Sequence, residues 1–133
     1  MVAILADEAL VRLGSPEQIR GVFDRAPTSS DASSGIRASQ FGGYDRARAT
    51  WAMALGEFEE AERAARAGLA WAQREHCPVE EGRSHQVLAD LLDRRGEARE
   101  AAVHLDAAGD LFSTTGARLY LDQVLERKDL LKA

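Results

Sequence analysis

Residues 56–61 read GEFEEA, a glycine and acidic residues that open a long alanine-rich run. The pattern returns as GEAREA at 96–101, and a weaker copy, GSPEQI, stands at 14–19. A glycine lets the chain reverse between two helices, and a small residue one turn into the second helix lets the two axes approach closely. A unit that recurs about every 40 residues is typical of helical repeat arrays. The sequence therefore predicts helical hairpins joined by these turns.

Apolar residues recur at helical spacing on both sides of each turn. They predict a single all-α domain, residues 1–133, without β-strands. About seven helices are expected, at 2–13, 16–26, 44–55, 58–75, 81–95, 97–114 and 117–131. These form repeats at roughly 2–26, 44–75 and 81–115, followed by a C-terminal capping helix at 117–131.

Several residues have a specific structural role in this prediction. Ser15 is expected to cap the second helix, with Gln18 three residues after the cap. Pro78 is expected to end the segment before the helix at 81–95. Ala61 and Ala101 are the small side chains expected where the hairpin helices come closest. Trp51 and Trp71 are expected to pack in the core.

Residues 27–43, PTSSDASSGIRASQFGG, are the one low-complexity stretch of the chain. Serine, aspartate and glycine favour backbone hydrogen bonding outside a helix, so we expect a flexible, exposed loop, with a short helical piece around Ile36–Phe41 as an open alternative. The stretch lacks the Gly-Lys-Ser/Thr sequence of a phosphate-binding loop.

Composition narrows the classes of function. The net charge is −5 and the isoelectric point is about 5.2, which disfavours a broad nucleic-acid-binding surface. No apolar run reaches the roughly 18 residues that a transmembrane helix needs. The single cysteine, Cys77, cannot form an internal disulfide, which favours a reducing compartment. We expect a cytoplasmic protein that binds neither nucleic acid nor membrane.

The candidate metal ligands besides the carboxylates are His76, Cys77, His85 and His104. None of them forms a closely spaced pair such as CxxC or HxxxH, so we expect neither a metal site nor a cofactor. Glutamates cluster at the predicted helix N-termini with arginines one turn away, which indicates solvated helix faces. No histidine accompanies them for acid–base catalysis. The chain is therefore expected not to be an enzyme and to have no catalytic residues.

The two strongest turns, at 56–61 and 96–101, resemble the inter-helix turn of the tetratricopeptide repeat. The period of about 40 exceeds the usual 34 of that family. It is similar to the long repeats in the C-terminal regions of bacterial signalling ATPases, some joined to nucleotidyl cyclases and others to LuxR-type DNA-binding domains. Residues 43–61 and 107–118 resemble the middle and last repeats of those regions. The resemblance implies a right-handed α-solenoid and a regulatory or scaffolding role, in a C-terminal fragment of a larger signalling or transcription regulator.

In an array of helical hairpins, the first helices of successive repeats line the concave face. The repeat register predicts that this face binds a protein or peptide partner, because it mixes charged, polar and apolar side chains. Two alternatives stay open: self-association through exposed helical ends, and a small-molecule sensor near loop 27–43. The predicted concave-face residues are Arg46, Thr50, Met53, Arg83, Gln86, Asp90 and Arg94.

Overall fold

The computed structural model describes residues 7–25 and 42–132, and every regular element in these ranges is an α-helix. The all-α prediction is confirmed for this part of the chain. Residues 2–6 of the first predicted helix and residues 27–41 of the predicted loop lie outside the described residues. The helices are α1 (Asp7–Leu13), α2 (Pro16–Arg25), α3 (Gly42–Ala54), α4 (Phe58–Arg74), α5 (Pro78–Arg94), α6 (Ala98–Thr115) and α7 (Arg118–Lys132).

Two helices begin earlier than predicted. Helix α3 starts at Gly42, within the residues assigned to the loop. Helix α5 starts at Pro78, so the expectation that Pro78 ends a segment is wrong. The first residue of a helix needs no backbone N–H for the intrahelical ladder, and proline already has a helical φ angle. Pro78 therefore opens α5, and Cys77 occupies the N-cap position.

The predicted cap of α2 is confirmed. The backbone N–H of Gln18 donates to Ser15 Oγ at 3.2 Å, and the Ser15 N–H donates to Gln18 Oε1 at 2.9 Å. This reciprocal pair satisfies two backbone donors at the start of the helix, where no intrahelical acceptor exists.

The helices that follow the first hairpin recur with half the period of the sequence repeat. Helices α4 to α7 begin at residues 58, 78, 98 and 118, and each follows a turn that contains a residue in the left-handed conformation. The next residue donates its N–H to the carbonyl five residues back, at 2.8–3.0 Å, as in a Schellman helix end. The left-handed residues are Gly56 (φ 77°), His76 (φ 54°), Gly96 (φ 81°) and Gly116 (φ 73°).

His76 is the one side-chain-bearing residue among these four. A left-handed L-residue costs roughly 1–2 kcal/mol, partly offset by the greater unfolded-state freedom of glycine. We expect His76→Gly to raise the free energy of unfolding by about 0.5–1 kcal/mol, measured by urea denaturation. The reciprocal Gly96→His should lower it by about 1 kcal/mol, through the backbone, because no described atom lies within 4 Å of an added Cβ there. A less stable His76→Gly protein would mean that the imidazole itself stabilises the turn.

Each helix packs against the next one in the chain, and α3 also contacts α1 and α5. Trp51 of α3 is completely buried, in a core cluster that also contains Ile19 and Phe23 of the first hairpin and Leu91 of α5. A second cluster joins α5, α6 and α7 around Phe112. The predicted small contacts, Ala61 and Ala101, are completely buried, and Trp71 is buried as well.

Arg48 of α3 holds the first hairpin in place. Its Nη1 donates to the Phe23 carbonyl oxygen at 2.7 Å, and its guanidinium lies 4.3 Å from the centre of the Phe23 ring. Because Phe23 is in the last turn of α2, this bond satisfies one of the carbonyls that a helix end leaves without an intrahelical donor. Arg20 of α2 adds an ion pair with Glu57, at the turn between α3 and α4.

Gly82 of α5 lets the Phe112 ring lie directly on the helix backbone. A Cβ added to Gly82 would lie 2.5 Å from Cε1 and 2.7 Å from Cζ of Phe112. Phe112 is completely buried, so the ring has no free space into which it can move. The contact therefore fixes the distance between α5 and α6.

We expect Gly82→Ala to destabilise the fold by about 1–3 kcal/mol through overpacking. The matched control is Gly109→Ala in α6, where the added Cβ would meet Val124 at an ordinary 3.6 Å. That change should be neutral or stabilise by up to about 1 kcal/mol, because alanine favours helix. In a double-mutant cycle measured by denaturation, Phe112→Leu should cost less in the Gly82→Ala background than alone. Additive effects would contradict the proposed ring contact.

Candidate binding groove

Alternate helices α3, α5 and α7 together form a groove of about 160 Å³. The structure brings five of the seven predicted concave-face residues to this groove. Val87 and Gln123 complete its lining and were absent from the prediction. The five are Arg46 and Thr50 on α3, and Arg83, Gln86 and Asp90 on α5.

Arg46 forms part of the groove wall and is only 1% exposed. Its Nε donates to Glu80 Oε2 at 2.7 Å, which joins α3 to the first turn of α5. Gly68 of α4 lies behind this residue, since a Cβ there would come within 3.2 Å of the Arg46 backbone nitrogen. A buried, hydrogen-bonded guanidinium has little freedom to move, so Arg46 fixes α3 against α5 behind the groove and exposes almost no surface to a partner.

Several contacts connect α5 to α7 along the groove. The Arg83 guanidinium lies 4.7 Å from the centre of the Tyr120 ring, within the range of a cation–π interaction. Gln86 Nε2 donates to Gln123 Oε1 at 3.3 Å. Arg127 of α7 also pairs with Asp90, and with Asp93 at 3.0 Å. The charged groove residues of α5 are thus already engaged with α7.

Met53 and Arg94 do not line this groove. Met53 is 7% exposed and belongs to the core cluster that contains Ile19 and Phe23 of α2. The first hairpin therefore covers the end of α3 on which Met53 lies. Arg94 is exposed in the last turn of α5, beyond the groove.

A histidine pair that the sequence analysis missed joins α5 and α6. His85 Nδ1 and His104 Nδ1 are 2.9 Å apart, and the ring centroids are 5.1 Å apart. At this distance one Nδ1–H donates to the other Nδ1, so the hydrogen bond requires at least one unprotonated ring.

Burial lowers the pKa of both histidines. For His85 the pKa falls from 6.5 to about 4, through burial first and the neighbouring His104 second. For His104 burial is also the main cause, and Arg66 of α4 lowers the pKa further while Glu100 opposes the change. Both rings are therefore uncharged at neutral pH.

The spacing of the two histidines from the turn between α5 and α6 predicts that they form a pair. The turn bond joins the Glu97 N–H to the Leu92 carbonyl, and His85 and His104 lie seven residues to either side of those positions. Seven residues make about two helical turns, so the two histidines lie opposite each other in an antiparallel hairpin. A search for closely spaced ligands along the chain does not detect residues that are 19 positions apart.

Possible cofactor and metal ligands are few. Within residues 7–25 and 42–132, no group of three or more His, Cys, Asp or Glu side chains could hold a metal ion. Cys77 is partly buried, and burial followed by the charges of Glu75 and Glu80 raises the pKa of its thiol. The thiolate is therefore disfavoured, which argues against nucleophilic use of this residue.

Comparison with protein-family models, with curated proteins and with solved structures found no match to this chain. Among the helices that the structure describes, none has both the length and the hydropathy of a transmembrane span.

The histidine pair predicts that stability depends on pH. Because the folded-state pKa values are lowered, the unfolded chain binds protons more readily, and stability falls as the pH drops below about 6.5 toward about 4. We expect a loss on the order of 1–2 kcal/mol across this window, allowing for partial solvent screening. Urea denaturation at several pH values between 7.5 and 5 measures this loss.

In the variant His85→Gln, the free energy of unfolding should depend less on pH than in the natural sequence. The carboxylates Glu57 and Glu62, whose pKa values are lowered by arginine partners, lose their contribution only below about their ordinary value of 4.5. The histidine effect is therefore separable between pH 6.5 and 5. An unchanged slope in His85→Gln would assign the pH dependence to other groups.

Proposed function

We propose that this chain is a tetratricopeptide-like right-handed α-solenoid that binds a protein or peptide partner in the groove between α3, α5 and α7, without catalysing a reaction. The proposal rests on the helices from which the groove residues come. They come from three alternate helices, each separated from the next by an intervening helix. Such a surface is built by the stacking of hairpins, which is how helical repeat proteins form extended binding faces.

The chemistry of the groove supports a peptide partner. Val87 supplies an apolar surface between the polar side chains of Thr50, Gln86 and Gln123. The two amides keep donors and acceptors beyond their mutual bond, and the Thr50 hydroxyl, which donates to the Arg46 carbonyl at 3.2 Å, can still accept a hydrogen bond from a peptide. A groove of about 160 Å³ is smaller than the roughly 300–1,000 Å³ of typical small-molecule pockets. It suits one or two side chains of a larger partner.

The charged groups support binding over catalysis. Arg46 is bonded to Glu80, and Asp90 is paired with Arg127. Ion-paired groups of this kind hold fixed charges and positions, whereas a general acid or base must exchange a proton with substrate near neutral pH. Among the described residues that line the groove, none is a histidine, cysteine or serine that could act with them.

The wider role that we propose follows from the resemblance in the turn sequences. It is a regulatory or scaffolding function in the bacterial cytoplasm, in which this region binds a partner for a signalling ATPase, a nucleotidyl cyclase or a transcription regulator. The acidic net charge of −5 supports a protein partner over nucleic acid.

The test uses the intact chain and a selected peptide. A random-peptide library displayed on phage is selected against the natural sequence, and fluorescence anisotropy measures the Kd of the best peptide. We expect Gln86→Ala and Arg83→Ala each to weaken binding about tenfold or more. Arg94→Ala is the matched control, because it removes an exposed arginine from the same helix outside the groove. It should change the Kd less than twofold.

Circular dichroism of all three variants should match that of the natural sequence. Equal binding by Gln86→Ala and the control would place the peptide elsewhere and contradict the groove assignment. Failure to select any peptide under conditions that yield ligands for a known repeat protein would count against the proposed function as a whole.

A further inference from the structure

His85 and His104 do not line the groove. They face each other across the hairpin of α5 and α6. Both residues are partly exposed to solvent. Their Nδ1 atoms are 2.9 Å apart and no backbone atom is a partner in this contact. Two imidazole nitrogens that converge in this way are the preferred ligands of several divalent transition metals.

We propose that His85 and His104 form an exchangeable site for a divalent transition-metal ion such as Ni²⁺ or Zn²⁺, bound through the two Nδ1 atoms. Metal–nitrogen bonds of about 2.0–2.1 Å at a tetrahedral angle place two ligand nitrogens about 3.3 Å apart. To admit the ion, the rings separate their nitrogens by about 0.4 Å, and each ring turns by roughly 35° so that its Nδ1 lone pair points away from the N···N line and toward the ion. The χ2 torsion of histidine has a broad energy profile, and rotation about it provides this movement.

The remaining ligands are water. The described residues supply no third His, Cys, Asp or Glu that would complete a group of three. A site with two protein ligands exchanges its ion with solvent, in contrast to the closed four-ligand sites that stabilise zinc fingers. This agrees with a chain whose helices already pack through their own apolar core.

The local charges permit a cation here. Glu100 lies one helical turn before His104 and interacts favourably with a positive charge at that ring. Arg66 of α4 opposes it, although the Arg66 guanidinium is bonded to Glu62 at 2.9 Å. Both carboxylates therefore reduce the positive potential that the ion meets.

Binding needs no net proton release at neutral pH. Both rings are uncharged, and one of them carries its proton on Nδ1 in the hydrogen-bonded pair. The ion takes the place of that proton, and the ring regains a proton at Nε2 by exchange with water. Each ring is then a neutral imidazole that donates its Nδ1 lone pair to the ion.

The expected effect is stabilisation of the hairpin by the ion. The folded chain presents the two nitrogens together and the unfolded chain does not, so binding raises the midpoint of thermal unfolding. Thermal unfolding of the full chain is followed by circular dichroism in NiCl₂ from about 10 µM to about 1 mM, with MgCl₂ as a control. We expect a rise on the order of 3 °C or more for each tenfold increase in Ni²⁺ above the dissociation constant. Mg²⁺ should have no effect, because it prefers oxygen ligands.

Variants assign the effect to the pair. His85→Gln and His104→Gln should each abolish the Ni²⁺-dependent shift, whatever their own unfolding temperature. His76→Gly is the matched control, because it removes the third histidine of the chain and should keep the shift. A shift that is lost in His76→Gly would place the ion at the His76–Cys77 turn and overturn the proposal. A shift that persists in His85→Gln, or no shift in the natural sequence, would also overturn it. None of these outcomes depends on peptide binding in the groove.

Discussion

The left-handed residue that ends each helix from α3 to α6 is the constraint on which the rest of the structure depends. It recurs at a constant spacing, at positions 56, 76, 96 and 116, and the hydrogen bond after it closes the helix in the same way each time. Helices of nearly constant length follow, so residues at equal distances from a turn lie opposite each other. The histidine pair is one result of this register, and the alignment of α3, α5 and α7 along one groove is another.

The sequence predicts much of this architecture because glycine marks three of the four left-handed positions. Gly56, Gly96 and Gly116 stand where a helical pattern breaks, and the hairpins around them are those expected. His76 gives no comparable signal, since a residue with a side chain seldom adopts the left-handed conformation and histidine does not mark a turn as glycine does. The sequence pattern therefore favours Pro78 as the end of a segment and predicts a start of α5 three residues later than the one observed. For the same reason, the sequence shows turns about every 40 residues, although helices α4 to α7 begin every 20 residues.

The position of a predicted residue at the groove follows from the sequence where it depends on the residue's own helix, and not where it depends on a distant helix. Arg83, Gln86 and Asp90 follow from the helical register of α5 alone. Met53 has a suitable position on α3, but its burial depends on the first hairpin, which Arg48 and Arg20 hold against that end of the helix. Arg46 shows the same dependence, because Gly68 and Glu80 on two other helices determine that it is buried.

Helix α5 carries residues of both the groove and the histidine pair. Within one turn it directs Arg83 and Gln86 toward the groove and His85 toward α6. Two of its faces, about 100° apart, are fixed by different interactions. Ion pairs and an amide contact face α7, and the Phe112 ring on Gly82 together with the imidazole pair face α6. A helix held on both sides cannot move toward one partner without a loss of contacts on the other. The residues that recur in the sequence thus set the spacing of the helices, and those that do not recur, including these histidines, give each face of α5 its own chemistry.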